Sequence, residues 1–424
     1  MAEIPIVADG AEGPARIESA ADRLARYTRP GTLALATLPP LSVYVHLPWC
    51  LRKCPYCDFN SHEWRPGSGS ADAALPIARY LDALRADLEA SLPFVWGRRV
   101  RSIFIGGGTP SLFPPEAIDR LIADVRARMP LEPGCEITLE ANPGTFERDR
   151  FRGYRDAGVT RLSIGVQSFD DAKLHALGRV HDAAQAAAAV EEARAAFDTY
   201  NIDLMYALPK QTLAELDADL AAALAFEPPH LSAYHLTIEP NTLFAKHPPE
   251  VPHDDLAFEM LDRVVQRTGE AGLERYEVSA YARAGHRCVH NLNYWEFGDY
   301  LGLGAGAHSK LSFAHRIVRQ TRFREPARYM AEAAEGRAIS QDIEVSRSEL
   351  PFEFMLNALR LRDGFELSRF VERTGLPIGA IERPLAEAER KGLVERDLHR
   401  VRPTRHGFDF LNDLQALFLP APAR

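Results

Sequence analysis

Six apolar runs of strand length alternate with amphipathic helical patterns between residues 41 and 240. This alternation constrains the fold more than any other feature of the chain. A repeated strand–helix pattern predicts a parallel sheet covered by helices, with six β/α units. The predicted strands are Val43–Leu47, Ile103–Ile105, Ile137–Leu139, Leu162–Val166, Ile202–Met205 and Leu231–Leu236.

Three cysteines follow the first predicted strand within eight residues, as Cys50-Leu-Arg-Lys-Cys54-Pro-Tyr-Cys57. Folds of this type place their active sites at the strand-end loops. Three thiolates on one short loop suit a [4Fe-4S] cluster with one iron left without a protein ligand. The alternatives are a zinc knuckle or three unrelated buried cysteines. Structural zinc needs four ligands, often as paired CxxC units, and the sequence has no second pair. We therefore favour the cluster.

Glycines and carboxylates follow other predicted strands. The second strand ends in Gly106-Gly107-Gly108-Thr109, which lets backbone approach a ligand without interference from Cβ atoms. The lysine and Ser/Thr of a phosphate loop are absent, and a tight turn explains the glycines equally well. Glu140 and Asp203 lie in apolar strands, where an unpartnered carboxylate is costly. We expect both carboxylates to contact a ligand.

Together these motifs resemble the radical S-adenosylmethionine (SAM) superfamily. In that family the cysteines of a CxxxCxxC loop hold a [4Fe-4S] cluster, and SAM chelates the fourth iron. Electron transfer from the cluster cleaves SAM to a 5′-deoxyadenosyl radical. The family's fold is a partial or full (β/α) barrel. The resemblance thus implies an α/β fold with a partial (β/α)6 barrel, with Cys50, Cys54 and Cys57 as the metal ligands.

Several longer stretches narrow the resemblance to the anaerobic coproporphyrinogen III oxidase subgroup. They are Tyr44-Val-His-Leu-Pro-Trp-Cys50, Gly106-Gly-Gly-Thr-Pro-Ser111, Gly165-Val-Gln-Ser and Asn201-Ile-Asp-Leu-Met-Tyr-Ala-Leu-Pro-Lys-Gln-Thr212. The likeness spans about residues 41–415. It implies that SAM contacts Tyr44, Gly107, Gly108, Thr109, Glu140, Gln167, Arg179 and Asp203. The assignment of Arg179 rests on the resemblance alone, since its spacing indicates a solvated helix charge.

Two branches of this subgroup differ at one position. The oxidases carry a fourth cysteine two residues after the third, where this chain has Phe59. A haem-chaperone branch has phenylalanine there and an HNxxYW motif, which this chain carries as His290-Asn-Leu-Asn-Tyr-Trp295. That resemblance implies haem contacts from His290, Asn291, Tyr294 and Trp295. A neutral imidazole is a common axial haem ligand.

His308 is a second candidate ligand, in the segment Leu301-Gly-Leu-Gly-Ala-Gly-Ala-His-Ser. A glycine-rich strand packed against the barrel explains this segment equally well.

The resemblance implies a haem chaperone that binds haem as cargo together with the cluster and SAM. It further implies a membrane respiratory haem enzyme as client and an electron-donor protein for the cluster. It also allows a homodimer. The alternative is an oxygen-independent coproporphyrinogen III oxidase, which decarboxylates two propionates. A radical SAM enzyme with an unrelated small-molecule or RNA substrate is a third possibility, with little support from the charge balance.

Composition limits location and partners. The net charge of -9 disfavours a broad nucleic-acid surface. No apolar stretch reaches the roughly 18 residues of a membrane span. The N-terminus has acids and glycine instead of a basic and apolar leader. We therefore expect a cytoplasmic protein, reaching the inner membrane peripherally through its client.

We predict four regions along the chain. Residues 1–39 form a flexible extension with one weakly helical piece, and 40–240 form the barrel with the cluster and SAM sites. Residues 241–345 complete the barrel and carry the HNxxYW motif. Residues 346–424 form a winged-helix-like α+β domain. Pro384 would distort its recognition helix and the local charges nearly balance, so we expect a packing or interaction domain rather than a DNA-binding one.

Overall fold

The computed structural model describes residues 18–64, 74–144 and 150–420 of the chain. A twelve-stranded sheet forms its centre, in the order β14-β13-β12-β11-β1-β4-β5-β6-β7-β8-β10-β9. The strands are β1 (Leu41–Leu47), β2 (Trp49–Cys50), β3 (His62–Glu63), β4 (Val100–Gly107), β5 (Leu131–Ala141), β6 (Arg161–Gln167), β7 (Tyr200–Tyr206), β8 (His230–His235), β9 (Glu274–Arg275), β10 (Ala280–Ala282), β11 (Asp299–Leu303), β12 (His308–Phe313), β13 (Arg316–Arg322), β14 (Ile339–Glu344), β15 (Phe365–Glu366), β16 (Val394–Arg396) and β17 (Arg400–Pro403).

The helices follow the predicted alternation with the strands. They are α1 (Ala20–Tyr27), α2 (Ile77–Val95), α3 (Pro115–Arg128), α4 (Phe151–Asp156), α5 (Asp171–Ala176), α6 (Ala183–Ala196), α7 (Leu213–Ala225), α8 (Leu243–Lys246), α9 (Asp254–Glu270), α10 (Val289–Trp295), α11 (Pro326–Ala334), α12 (Leu350–Ala358), α13 (Leu367–Thr374), α14 (Glu382–Arg390), α15 (Arg405–Asp409) and α16 (Leu411–Ala416).

The parallel core of the sheet matches the six predicted strands. These are β1, β4, β5, β6, β7 and β8, and each pairs in parallel with its neighbour. Residues such as Val43, Ile105 and Ile164 are completely buried between the sheet and its helices. The predicted α/β class is confirmed. Because all six strands run the same way, their carboxyl ends meet at one rim of the sheet.

The glycine-rich segment before His308 begins in strand β11, which ends at Leu303, and then turns into β12. Strand β11 is a further member of the parallel sheet. It pairs in parallel with β1, with Leu301 opposite Val43, and so adds a seventh parallel strand. A Cβ atom on Gly302 would lie 2.0 Å from the carbonyl oxygen of His308, so this close approach requires glycine. Strands β12 to β14 extend this edge, while β10 and β9 extend the opposite one.

The segment before the first strand differs from the expected flexible extension over residues 18–39, while residues 1–17 lie outside the described part of the chain. Helix α1 begins at Ala20 and is capped by Ser19. Tyr27 is 1% exposed, and Leu33 and Leu35 are buried as well. The sequence pattern missed this packing because few apolar residues carry it.

Residues 350–418 build a second, smaller core. Helices α12, α13 and α14 pack with a three-stranded sheet in the order β15-β17-β16, as expected for a winged-helix-like domain. Phe354, Phe370 and Leu385 are fully buried there. Pro384 does not distort its helix, because it lies in the first turn of α14, where its missing N–H has no helical partner to lose.

Candidate cofactor site

The three cysteines of the CxxxCxxC loop lie at the rim where β1 and β4 end. Cys50 belongs to β2 and is largely buried, while Cys54 and Cys57 are partly exposed. Two backbone hydrogen bonds shape the loop, from Cys57 N to Cys54 O (3.2 Å) and from Trp64 N to Cys50 O (2.8 Å). The loop thus holds all three thiols on the same side of the sheet edge, against one cavity.

Each cysteine sulfur has a polar neighbour. Thr109 donates from Oγ1 to Cys50 Sγ at 3.4 Å, and Arg179 donates from Nη1 to Cys54 Sγ at 3.7 Å. The Cys57 Sγ lies 3.6 Å from the Ser61 hydroxyl. Hydrogen bonds to sulfur stabilise thiolates and tune the potential of a cluster that they hold.

These thiols fit an iron–sulfur cluster better than free reactive cysteines. Burial raises the pKa of Cys50 to about 11, and the hydrogen bond from Thr109 opposes this shift. Such a thiol needs metal ions to become a thiolate at neutral pH. Within the described residues, no three His, Cys, Asp or Glu side chains converge on a single metal ion. A cubane cluster does not need that convergence, because each cysteine would bind a different iron.

The glycine loop after β4 packs directly on the cysteine loop. Gly108 N donates to Leu47 O and Thr109 N donates to Trp49 O, both at 2.8 Å. A Cβ atom on Gly108 would lie 2.6 Å from Trp49 O, and Gly107 has a φ of 120°. Both positions therefore require glycine, and the loop forms a narrow backbone cradle beside the cysteines.

Two buried carboxylates line the cavity next to this cradle. Glu140 accepts from Gly107 N at 3.0 Å, and Asp203 accepts from Ser163 Oγ at 3.0 Å and from Asn201 Nδ2 at 2.8 Å. Burial and the charge of Asp203 raise the pKa of Glu140 to about 7. Burial also raises the pKa of Asp203 to about 6, against the effect of its hydrogen bonds. Both groups are poised to favour a cationic ligand.

Arg179 lies in this site and not on a solvated helix face. Its Nη2 donates to Asn142 Oδ1 at 2.8 Å and to Gly165 O at 2.7 Å. The residue follows α5, so a turn instead of a helix directs the guanidinium inward. Gln167, at the end of β6, has a φ of 70°, a backbone conformation that side chains rarely adopt.

A cavity of about 680 Å³ brings most of the predicted site residues together. It is lined by residues of the cysteine loop, the glycine loop, the inward faces of the parallel strands and the motif helix α10. Thirteen of the fifteen predicted residues are among them: Cys50, Cys54, Cys57, Gly107, Gly108, Thr109, Glu140, Gln167, Arg179, Asp203, Asn291, Tyr294 and Trp295.

Tyr44 and His290 do not line this cavity. The Tyr44 hydroxyl lies 2.9 Å from His46 Nδ1. His290 is 1% exposed, and both ring nitrogens have hydroxyl partners, Ser102 Oγ at 2.9 Å and Tyr294 OH at 3.2 Å. Burial lowers the pKa of His290 to about 3, so its imidazole is neutral. In this conformation the ring connects the motif helix to Ser102 of β4.

His308, the second candidate haem ligand, also lies apart from the residues that line the cavity. It begins β12 and is exposed, with Nδ1 3.2 Å from Thr321 Oγ1.

Several polar residues that were not predicted from the sequence line the far end of the same cavity. These include Arg161, His230, Glu277 and Arg360. Arg161 and His230 lie one residue before two predicted strands and begin the observed strands β6 and β8. A polar residue at an inward position beside an apolar run is the signal that would have found them. Arg360 follows α12 in the C-terminal domain, and no sequence pattern links it to the barrel.

The comparisons with known proteins agree with this geometry. Residues 44–223 match the family model of the radical SAM superfamily, and 345–410 match that of the HemN C-terminal domain. The coproporphyrinogen III oxidase HemN from Escherichia coli, a radical SAM enzyme, has a similar fold. Its TM-score is 0.77 at 24% identity, over 94% of this chain and 93% of that one. Fold and site thus define a HemN-like radical SAM protein.

Curated relatives narrow the assignment. Heme chaperone HemW of Escherichia coli (strain K12) is 46% identical over 91% of this chain and 100% of its own length. The Haemophilus influenzae protein of the same name is 44% identical over 90% and 98%, and the Bacillus subtilis one is 32% identical over 89% and 99%. The chain therefore belongs to the HemW family. Radical SAM family membership implies a [4Fe-4S] cluster and SAM binding.

Proposed function

We propose that this protein is a haem chaperone, which binds haem as cargo and passes it to a haem enzyme. One observation carries the proposal: Asn291, Tyr294 and Trp295 of the motif helix line the same cavity as the cysteine loop. The names of the HemW relatives support it.

In this proposal Cys50, Cys54 and Cys57 hold the cluster. The backbone cradle at Gly107 and Gly108 receives the amino-acid end of SAM. The remaining contacts come from Thr109, Glu140, Gln167, Arg179 and Asp203. Tyr44, whose hydroxyl lies beside His46, stays a predicted contact that requires a change of its conformation. A bound cluster would supply a low-potential electron at this position. Glu140 and Asp203 provide negative charge for the cationic groups of SAM.

The aromatic side chains of the motif helix provide the contact for a flat macrocycle. The Tyr294 and Trp295 ring centroids are 6.4 Å apart, and both rings lie on the cavity wall. Such faces pack well against a porphyrin. Axial ligation by His290 would require its hydrogen bond to Tyr294 to open. We therefore assign the macrocycle contact to Tyr294 and Trp295, and keep His290 as the predicted ligand after such a rearrangement.

Phe59 favours the chaperone over the oxidase. Its side chain is 61% exposed and lines the cavity, at the position where the oxidases carry their fourth cysteine. The likeness to the E. coli oxidase, at 24% identity, extends to the fold alone.

We further propose a respiratory haem enzyme of the membrane as client and a separate electron-donor protein for the cluster. The part of the chain that the structure describes has no helix with the length and hydropathy to cross a bilayer. The protein would therefore act in the cytoplasm and meet its client at the inner membrane. A homodimer is compatible with this proposal.

The proposal is tested with full-length protein, reconstituted anaerobically with cluster, SAM and reductant. We expect stoichiometric haem binding, seen by absorbance per cluster, and no turnover of coproporphyrinogen. Trp295→Ala should lower haem occupancy several-fold. Trp96→Ala is the matched control, because Trp96 is 83% exposed and distant from the motif in sequence. Catalytic conversion of coproporphyrinogen, or absence of haem binding, would contradict the proposal.

A further inference from the structure

Buried hydrogen-bond donors without acceptors lie in the wall of the cavity. Within the described ranges, Arg161 Nη1, Trp295 Nε1 and Arg360 Nε are buried atoms that have no hydrogen-bond partner. All three residues line the cavity. Buried donors are normally paired, so a set of unpaired donors around one cavity indicates a ligand that brings acceptors.

Arg161 is the most deeply buried of the three residues, at 3% exposure. It begins β6, whereas Gln167 ends that strand at the cysteine rim, so the two residues are about 20 Å apart along the strand. Its Nε donates to Glu136 Oε2 at 2.9 Å and its Nη2 donates to His286 O at 2.7 Å. These two hydrogen bonds fix the orientation of the guanidinium, while its Nη1 has no hydrogen-bond partner.

Arg360 reaches the same cavity from the C-terminal domain. Its Nη2 donates to Glu277 Oε2 at 3.0 Å, and its Cζ lies 4.2 Å from the Trp295 ring centroid. Glu277 Oε1 accepts from Ser279 N at 3.0 Å. The ion pair and the stacking position Arg360, while its Nε remains unpaired.

The unpaired donors point to the chemical class of the ligand. Glu136 already pairs with Arg161, and Glu277 already pairs with Arg360. An acceptor for the unpaired donors would therefore come from a ligand. A guanidinium presents donors on several edges and can bind a second carboxylate beside the first. His230 nearby is neutral, because burial keeps its pKa well below the ordinary value, so the two arginines supply the positive charge in this part of the cavity.

We propose that Arg161, Arg360 and Trp295 form a carboxylate-binding subsite that anchors a propionate of the haem cargo. This inference rests on the proposed function and deepens it. Trp295 belongs to the motif helix, so the macrocycle contact and the carboxylate contact meet at one residue. Because Arg360 comes from the C-terminal domain, that domain forms part of the cargo site.

The test compares haem with haem dimethyl ester, in which both propionates lack charge. Each is titrated into full-length, cluster-loaded protein and followed by absorbance. We expect the native protein to bind haem at least about 10-fold more tightly than the ester, in line with charge-assisted hydrogen bonds. In Arg360→Gln this preference should fall close to one, with affinity for the ester unchanged. Arg161→Gln should behave in the same way.

One control variant, and the presence of two subsite variants, keep the test decisive. Arg152→Gln is the matched control, because the Arg152 side chain is 74% exposed and pairs with Glu192. Arg161→Gln leaves Glu136 without its partner, so a folding defect there would leave Arg360→Gln as the informative variant. Equal binding of haem and ester by the native protein, or an unchanged preference in Arg360→Gln, would overturn the subsite alone. Absence of binding for both ligands would overturn the proposed function as well.

Discussion

Burial decides the protonation state of the residues that matter most here. His290 is neutral because burial disfavours the charged form of its imidazole. Burial raises the pKa of Glu140 to about 7, with a contribution from the charge of Asp203, and burial raises the pKa of Asp203 to about 6. In both cases the unfolded chain has ordinary pKa values, so the shifts connect stability and ligand binding to pH.

The stability contributed by His290 should depend on pH. Burial lowers its pKa to about 3 from the model-peptide value of 6.5. Above pH 6.5 both states are neutral, and as the pH falls only the unfolded state gains a proton. Stability is therefore lost as the pH falls from 6.5 toward 3. The loss is about 2 kcal/mol at pH 5.

Denaturant unfolding at several pH values measures this effect. The difference in the free energy of unfolding between the native protein and His290→Gln should shrink by about 2 kcal/mol between pH 7 and 5. His175→Gln, at an exposed position of α5, is the control and should show no such change. A constant difference for His290→Gln would show that its imidazole is not buried as described.

Ligand binding should also depend on pH, through Glu140, and should strengthen as the pH rises. Burial and the charge of Asp203 raise the pKa of Glu140 to about 7 from 4.5, so stability falls as the pH rises from 4.5 to 7, because the folded state resists ionisation of this carboxyl. A cationic ligand offsets that cost only when the carboxylate is ionised. Affinity for SAM should therefore rise by about 10-fold between pH 6 and 8.

Equilibrium dialysis of cluster-loaded protein with SAM measures this affinity. Glu140→Gln should bind more weakly at pH 8 and show little change with pH. Glu116→Gln, at an exposed position in α3, should retain the native dependence. A native affinity that does not change with pH would remove Glu140 as the charge partner.

The sequence predicted which residues surround the cavity better than how they are connected. Cysteine spacing, glycines at a strand end and acids in apolar strands are local signals, and the structure brings those residues together. The hydrogen bonds of His290 to Ser102 and Tyr294 depend partly on a residue 188 positions away, which no local pattern encodes. The unpaired donors of Arg161 and Arg360 are visible only in three dimensions.

At the scale of elements, buried ion pairs hold the edge of the sheet to its helices. Arg322 of β13 is completely buried, and its Nη2 donates to Asp87 Oδ1 of α2 at 3.2 Å. The Tyr329 hydroxyl of α11 donates to Asp87 Oδ2 at 3.0 Å. One carboxylate therefore connects a strand and two helices, and removing it leaves an uncompensated buried charge.

Asp87→Asn should destabilise the protein by about 3–5 kcal/mol for this reason. Asp82→Asn on the same helix is the matched control. Its side chain is 54% exposed and pairs with Arg120, so the expected loss is about 1 kcal/mol or less. Chemical denaturation of both variants gives the comparison. Equal effects would mean that α2 is not anchored through its buried face.

The prediction of elements succeeded where hydrophobic periodicity is strong. Six of the seven parallel strands lie where apolar runs indicate them. Strand β11 was less clear from the sequence, because its pairing with β1 joins residues more than 250 positions apart. The winged-helix-like domain was visible as a change of pattern after about residue 350, whereas its contact with the barrel through Arg360 was not.

At the scale of the whole molecule, the N-terminal segment joins the two hydrophobic cores. Tyr27 packs in the core of the large sheet, with its ring centroid 5.4 Å from that of Phe94. Leu33 and Leu35 pack in the core of the C-terminal domain, together with Phe354. Few residues separate these contacts, so the segment restrains the position of one core against the other.

Replacing Leu33 and Leu35 with alanine should therefore loosen the C-terminal domain. Each substitution should cost about 2–5 kcal/mol, as for other buried leucines. Leu38→Ala is the control, because Leu38 is 43% exposed and should change stability by about 0.5 kcal/mol or less. Thermal unfolding of the three variants measures these changes in stability.

Since Arg360 belongs to the loosened domain, Leu33→Ala and Leu35→Ala should also weaken the preference for haem over its dimethyl ester. Full stability of both variants would show that the segment does not restrain the domain, whereas lost stability with an intact preference would separate the domain's packing from its part in the cargo site.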